Sequence, residues 1–560
     1  MLRLTWPTYQ YVEGLVVGFV STALIFSPIF FIHKHKNRVA IILASLLSIL
    51  LLIDSVYYAY FKTLPTAGLL SSVGETTSVI PAIIGLLSFK YILLFVDIIF
   101  VIIFYKHISL FFKRKNIVKA GNKFSIMALL TIVVCFFISL QPMGGANNLI
   151  KVLDSGYDTV STAQFYGIFV AHAIDVTRFI KEETTVLSPD QTQHLIDWVN
   201  NNKPNQATSN FTGVASGKNV IMIQVESLGS FVMNQSVNEK EITPNLNKLA
   251  KSSHFFPNDR FIIGAGHTSD TDLVANSSFF PLDDAATFVR YGRDEFTSLP
   301  KTLIANGYSA TAYHGFNRNF WNRNVALSSL GYQKFYAADN YSDGTFLNMG
   351  LNDGDFLSET VDYIKLQQEP SLNYVITLSS HVPFNITDKT NNLGLDANDY
   401  PELTAGYLEN INYTDRMLGN FFDKLKTNNL YDDSLIVVYG DHTPVLPAFT
   451  AGTVKYDPDT IQASEVPLFV KLPNETDSVI HPNMGTNLDI MPTILDLLGV
   501  KTKQLMFGRS LFVDNDEALK VCSDQLVVFN NYDDCTKALE DEKAKSALII
   551  RYNQFNKLSK

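Results

Sequence analysis

Long apolar runs crowd the first 150 residues, and the pattern then changes to short runs broken by polar residues. Four of the runs, near Tyr11–Ile32, Val39–Phe61, Tyr91–Tyr105 and Phe124–Leu140, approach the ~20 residues that a bilayer-spanning helix needs. The third is the shortest, though its apolar stretch can begin a few residues earlier. Between the second and third, Thr63–Ser88 is interrupted by Pro65, Gly68, Gly74, Pro81 and Gly85, a composition suited to a re-entrant or interfacial piece. A cleaved signal peptide is not expected, because the first run is too long and others come after it. The loops His33–Arg38 and Lys106–Lys123 are strongly basic, which makes them cytoplasmic and puts the N-terminus and everything after Gln141 outside. The pattern therefore predicts an N-terminal α-helical transmembrane bundle of about four helices over residues 1–140. The protein is expected to be a multi-pass resident of the plasma membrane with an extracellular soluble part.

Past the membrane, Ser155–Lys181 has helical periodicity with an aromatic face, and Ser188 before Pro189 is placed to cap a short helix, SPDQTQHLIDWV. Asn201–Lys218, rich in Asn, Ser, Gly and Pro, reads as a linker. Residues 141–218 are thus expected as juxtamembrane helices and linker, and 219–560 as the soluble domain. There, β-branched apolar runs stop abruptly in potential ligands. NVIMIQV ends in Glu226, SATAY in His314, NYVITL leads to His381, and SLIVVYG ends in Asp441 and His442. Helical stretches such as ITPNLNKLAKS and YTDRMLGNFFDKLKT lie between them. That alternation predicts an α/β domain with a mainly parallel central sheet buried on both faces. Ligands of such sheets bind beyond the carboxyl ends of the strands, which is where these groups fall.

Charge divides along the same line. Of 44 Lys and Arg and 54 Asp and Glu, residues 1–150 carry 12 and 4, leaving 32 and 50 for the remainder. So acidic a soluble part excludes a nucleic-acid partner, which needs a basic face. Three cysteines, Cys135, Cys522 and Cys535, are too few for a metal or disulfide framework, although the last two could pair outside the cell.

The candidate chemistry gathers around GAGHTSDTDL, Gly264 to Leu273. Thr268 admits two readings there: a helix cap, as Ser and Thr before helices usually are, or a nucleophile. Glu, Asp and His without cysteine suit a divalent ion of the Mn or Zn kind, which would lower the pKa of a Thr hydroxyl. A helix start at Thr268 also favours an attached phosphate, so the two readings are compatible. In HGFNRNFWNRN, Arg323 can grip phosphate oxygens, His314 or His381 can donate to a phosphate or protonate a leaving group, and Trp321 can line the site. His267 is a phosphate-steering or capping candidate, and Asp353 and Asp355 in GLNDGDF read as a turn or helix start.

Taken in order, VES, GHTSD, FWNR, TLSSHVPF, GDH and NLDIMPTILDLLG make the chain resemble the membrane-anchored, sulfatase-like branch of the alkaline phosphatase superfamily, and most closely the lipoteichoic acid synthase family. The resemblance spans nearly the whole chain, to MFGRSLF (Met506–Phe512). It implies an extracellular phosphoglycerol transferase that moves glycerol phosphate from phosphatidylglycerol to a glycolipid-linked or growing polyglycerophosphate acceptor. It also implies Mn2+, with Mg2+ or Zn2+ as alternatives, held by Glu226, Thr268, Asp441 and His442. Thr268 becomes the covalently modified residue, and Trp321, Arg323 and His381 contact substrate. The chain departs from the family at Gln224, where a histidine is common, and at Phe316, where an aspartate is common. Both positions are expected near the glycerol. A phosphoethanolamine transferase, or a glycan-decorating phosphoglycerol transferase, is the alternative on the same scaffold.

Overall fold

The computed structural model describes residues 12–32, 34–61, 64–67, 89–96, 98–101, 103–104, 122–145, 149, 159–184, 187–201, 208–342, 344–401, 403–482, 485–513, 520–522, 525–527 and 535–555. It divides into two compact units, one of residues 1–70 and 81–185, the other of 71–80 and 186–560.

In the first unit the helices are α1 (Val12–Phe26), α2 (Lys36–Phe61), α3 (Asn122–Ser139), α4 (Thr159–Tyr166) and α5 (Ile168–Thr184). Among the described residues, two helical stretches, Gly14–Phe31 and Lys36–Tyr58, are long and apolar enough to cross a membrane. Their outward positions are themselves apolar, including Phe19, Ile42 and Leu46, as lipid-facing surfaces require. The fourth expected span is shorter, with its apolar helix confined to Ser125–Ser139. The third forms a 3-10 turn at Phe89–Phe95 followed by helical fragments, and most of Thr63–Ser88 and of the second basic loop lies outside the described residues. Gly14 is required where α1 meets α4, since a Cβ there would stand 2.0 Å from the Gln164 carbonyl oxygen.

The second unit is built on one eight-stranded sheet. Its strands are β1 (Asn219–Val225), β2 (His254–Arg260), β3 (Ser309–His314), β4 (Lys334–Tyr336), β5 (Ser371–Ile376), β6 (Ser434–Gly440), β7 (Glu465–Lys471) and β8 (Val479–Ile480). They lie in the order β8-β2-β7-β6-β1-β5-β3-β4. Every neighbouring pair is parallel except the two that involve β7. The sheet is thus mixed, mostly parallel. All seven residues of β1 and of β6, and all six of β5, are buried, which explains why these strands read as unbroken apolar runs rather than alternating ones. Pro467 cannot donate to the ladder, and the β7–β2 register shifts there, between Val466 and Leu468.

The same unit carries the helices α6 (Pro189–Asn201), α7 (Thr268–Ser277), α8 (Arg323–Leu330), α9 (Asp353–Ile364), α10 (Thr404–Thr427), α11 (Ile490–Leu498) and α12 (Cys535–Arg551). Ser188 caps α6 as expected, accepting from Gln191 N at 3.2 Å, with the Gln191 side chain returning a bond to Ser188 N. Leu195 and Val199 of α6 are core residues of this unit. Residues 208–218 are no open linker. Ser209 and Thr212 hydroxyls bond Asp496 at 2.8 and 2.5 Å, and the amides of Gly213 and Ala215 reach the last carbonyls of α11. The Ser, Thr and Gly that make this stretch look like a linker cap a helix end instead. The side chains of Cys522 and Cys535 lie outside the described residues.

Candidate active site

The central strands converge on one edge. Glu226 comes directly after β1, and its amide donates to Thr377 Oγ1 at 3.1 Å, tying it to the end of β5. Ser227 turns the chain at φ 56°, so that its amide meets Asp441 Oδ1 at 2.7 Å, just past β6. His442 comes next. Its Nδ1 faces the Thr443 carbonyl at 3.0 Å, so Nδ1 carries a proton and Nε2 is the nitrogen turned to the site. One ligand atom each from Glu226, Asp441 and His442 fall within 4.8 Å of one another.

Thr268 completes this group from α7. Its Oγ1 donates to Glu226 Oε2 at 3.2 Å and lies 3.2 Å from His442 Nε2. Thr268 is the first helical residue, preceded by His267 at φ 43°, and its hydroxyl turns toward these ligands rather than onto the helix amides. The capping reading of Thr268 is therefore overturned, because a hydroxyl engaged by Glu226 and His442 is not bonding the N2 or N3 amide. Nor does the His267 side chain cap the helix. Burial, with the charges of His442 and His381 added, pushes its imidazole down to about 3, so it is neutral. Asp270 holds the turn, accepting from the amides of Gly264 and Gly266 at 2.9 and 2.8 Å.

The four-residue group fits a divalent cation. Asp441 Oδ2 is buried without a hydrogen-bond partner, 3.5 Å from His442 Nε2, which is rare for a carboxylate oxygen unless something else neutralises it. Burial pushes the Asp441 carboxyl well above the usual range, and the charge on Glu226 adds to this. A cation would reverse both effects, and the oxygen-and-nitrogen donor set suits one of the Mn or Zn kind.

Arg323 opens α8 and is 1% exposed. Its Nε donates to Asp272 Oδ2 at 2.7 Å, and Nη1 donates to His314 Nε2 at 3.2 Å. His314 Nδ1 in turn faces the Ile376 carbonyl at 3.1 Å. Both nitrogens of His314 are thereby engaged, and burial beside the guanidinium drives its pKa well below the ordinary value. In this arrangement neither nitrogen of His314 is free for a phosphate or a leaving group, and the ring holds Arg323. Gln224 also differs from expectation. It is fully buried beneath the site, its Nε2 donating to Asp272 Oδ1 at 2.9 Å and its Oε1 lying 2.7 Å from the Tyr374 oxygen. Phe316 packs edge-on to Phe320, with ring centroids 5.1 Å apart.

His381 and Trp321 are part-exposed at the same edge. His381 Nδ1 faces the Val382 carbonyl at 2.6 Å, leaving Nε2 for chemistry. Trp321 and Asn322 are both left-handed, φ 55° and 56°, so the chain kinks between Phe320 and Arg323. Asp353, at the start of α9 as expected, is buried and supports the His381 loop. It accepts from Leu378 N at 2.9 Å, Ser379 N at 3.1 Å and Thr414 Oγ1 at 2.9 Å. The Asp355 amide donates to Asn352 Oδ1, the cap of α9, and its carboxylate accepts from the Thr345 amide. Asp272 and Tyr374 are site residues that the sequence pattern does not single out. The one signal for Asp272 is its spacing, four residues beyond Thr268 and so on the same helix face.

This α/β fold also matches a protein of the alkaline phosphatase superfamily from Vibrio parahaemolyticus, at a TM-score of 0.50 and 20% identity over 67% of this chain and 98% of that one. Residues 218–500 match the Sulfatase family model, and residues 7–186 match the lipoteichoic acid synthase N-terminal domain. The chain belongs to the sulfatase family, in its lipoteichoic acid synthase branch. Lipoteichoic acid synthase 1 of Bacillus subtilis is 29% identical over 525 residues, 90% of this chain and 80% of its own. The lipoteichoic acid synthase of Staphylococcus aureus is 29% identical over 550 residues, 94% and 83% of the two chains. The crystal structure of the lipoteichoic acid synthase LtaP from Listeria monocytogenes superimposes with a TM-score of 0.51 at 26% identity, over 57% of this chain and 81% of that one. The protein is a membrane-anchored enzyme, a phosphotransferase.

Proposed function

We propose that the protein transfers glycerol phosphate from phosphatidylglycerol to a glycolipid-linked or growing polyglycerophosphate acceptor through a covalent intermediate on Thr268. The observation that carries this reading is the Thr268 hydroxyl, 3.2 Å from both Glu226 Oε2 and His442 Nε2, in the group where Asp441 Oδ2 has no hydrogen bond. Glu226, Asp441, His442 and Thr268 Oγ1 would hold the divalent ion, Mn2+ in this proposal. The ion would make the hydroxyl acidic enough to act as a nucleophile at neutral pH.

Thr268 Oγ1, attacking and later leaving as the alkoxide, forms a bond to phosphorus, the bond to the diacylglycerol oxygen breaks, and that oxygen takes a proton from His381 Nε2. In the second step an acceptor hydroxyl returns a proton to His381 and displaces Thr268. Arg323 grips the phosphate oxygens with the guanidinium edge that Asp272 and His314 leave open. Trp321 covers the glycerol. The catalytic domain works outside the cell on a multi-pass anchor, and the basic loops support that orientation.

The test uses full-length protein in liposomes of fluorescent phosphatidylglycerol with Mn2+, comparing wild type with Thr268→Ala. Release of fluorescent diacylglycerol that needs both the metal and Thr268 is expected. Release from phosphatidylethanolamine alone would instead make the enzyme a phosphoethanolamine transferase.

A further inference from the structure

The Arg323 guanidinium is fully buried, yet its Nη2 has no partner. A buried cationic nitrogen left unpaired is costly, so its neighbours must keep the group in place until an anion arrives. Asp272 does most of this. Oδ2 takes Arg323 Nε at 2.7 Å, while Oδ1 is held from the other side by Gln224 Nε2 at 2.9 Å and the Tyr374 hydroxyl at 2.8 Å. The carboxylate therefore has no freedom to rotate, and neither does the guanidinium that it grips. Gln224 also reaches the Thr268 carbonyl at 3.4 Å, and Tyr439 donates to Gln224 Oε1 at 3.3 Å.

Thr268 and Asp272 are four residues apart on α7, one turn along the same face. One short helix thus carries both the hydroxyl that attacks and the carboxylate that sets the guanidinium. A pair buried this completely (1% and 0% exposed side chains) is weak evidence for stability, and its geometry suits orientation instead.

We infer that Asp272 is a positioning residue: it registers the phosphate-gripping Arg323 to the Thr268 helix, with Gln224 and Tyr374 locking the carboxylate, so that Nη2 alone is offered to the oxyanion. This rests on the reading of Arg323 as the phosphate grip. Gln224, where relatives often carry a histidine, is then part of this lock and no part of the glycerol pocket.

The experiment measures calorimetric binding of glycerol phosphate to full-length protein in detergent with Mn2+, for wild type, Asp272→Asn, Arg323→Ala and the double variant. Each single variant is expected to bind about ten- to a hundredfold more weakly. The double variant should be no weaker than Arg323→Ala, because Asp272 acts only through Arg323. Free guanidinium should restore binding to Arg323→Ala but not to the double variant, a rescue that general loosening of the fold would not distinguish. If Asp272→Asn does not fold, Asp272→Glu takes its place, with partial rescue expected. Effects that multiply in the double variant, or rescue without the carboxylate, would overturn the inference while leaving the lipid donor untouched. Wild type that binds glycerol phosphate but releases no diacylglycerol from phosphatidylglycerol would end the donor reading and leave this one standing. Absence of binding by wild type would end both.

Discussion

His442 Nε2 and the Thr268 hydroxyl stand 3.2 Å apart, with the His442 Nδ1 proton turned away to the Thr443 carbonyl. Nε2 is therefore the nitrogen turned to the hydroxyl and to Glu226 and Asp441, placed to hold an ion beside them. Thr268→Ala is expected to lower turnover by roughly four orders of magnitude or more, the scale of losing a covalent nucleophile. Thr268→Ser keeps the oxygen and should retain measurable activity. Mass spectrometry of wild type quenched during turnover should find the adduct on Thr268; an adduct elsewhere would refute the assignment.

Asp441 and Glu226 are buried like charges, and the Asp441 carboxyl is held well above its ordinary range by burial and by that neighbour. Asp441→Asn removes the repulsion. In chelator the variant should melt at or above the wild-type temperature. With Mn2+ at about a hundred times its dissociation constant, wild type should gain about 2.7 kcal/mol and the variant far less. Equal metal-induced shifts in the two proteins would mean that the ion sits elsewhere.

His314 and His381 should separate in their pH profiles. Both nitrogens of His314 are engaged, by the Ile376 carbonyl and by Arg323, so it has no proton to exchange with substrate. His314→Gln is expected to lower kcat/KM while leaving the shape of the pH–rate profile intact. His381→Gln should remove one limb of that profile. A limb lost on changing His314 would return it to acid–base work.

Asp353 should give a pH-dependent stability. Burial outweighs its hydrogen bonds and raises its carboxyl to about 6. In the window between the unfolded value near 4 and about 6, the folded state holds the extra proton, so wild-type stability falls as pH rises. At about 1.4 kcal/mol per pKa unit the change is roughly 2–3 kcal/mol. Asp353→Asn does not titrate, so its deficit in urea unfolding should be larger at pH 4.5 than at pH 7. A deficit that does not vary with pH would show that Asp353 is ionised throughout.

The sequence by itself determined the architecture and the chemistry. Uninterrupted β-branched runs such as NVIMIQV and SLIVVYG specify strands buried on both faces, and parallel strands of that kind deliver the residues just past their carboxyl ends to one edge. Glu226, Asp441 and His442 were legible for that reason, since each closes such a run. Thr268 was legible as a candidate, but whether its oxygen capped α7 or faced the ligands depended on a φ of 43° at His267, which no local propensity encodes. Only tertiary structure decided the roles of His314, Gln224 and Asp272. Each has hydrogen-bonding capacity for several partners. Which ones they take is set by β1, β3, β5, α7 and α8 meeting under the site, contacts between residues far apart in the chain. The linker-like residues before Asn219 obey the same rule, because their hydroxyls and amides are satisfied by Asp496 and the end of α11, nearly three hundred residues away.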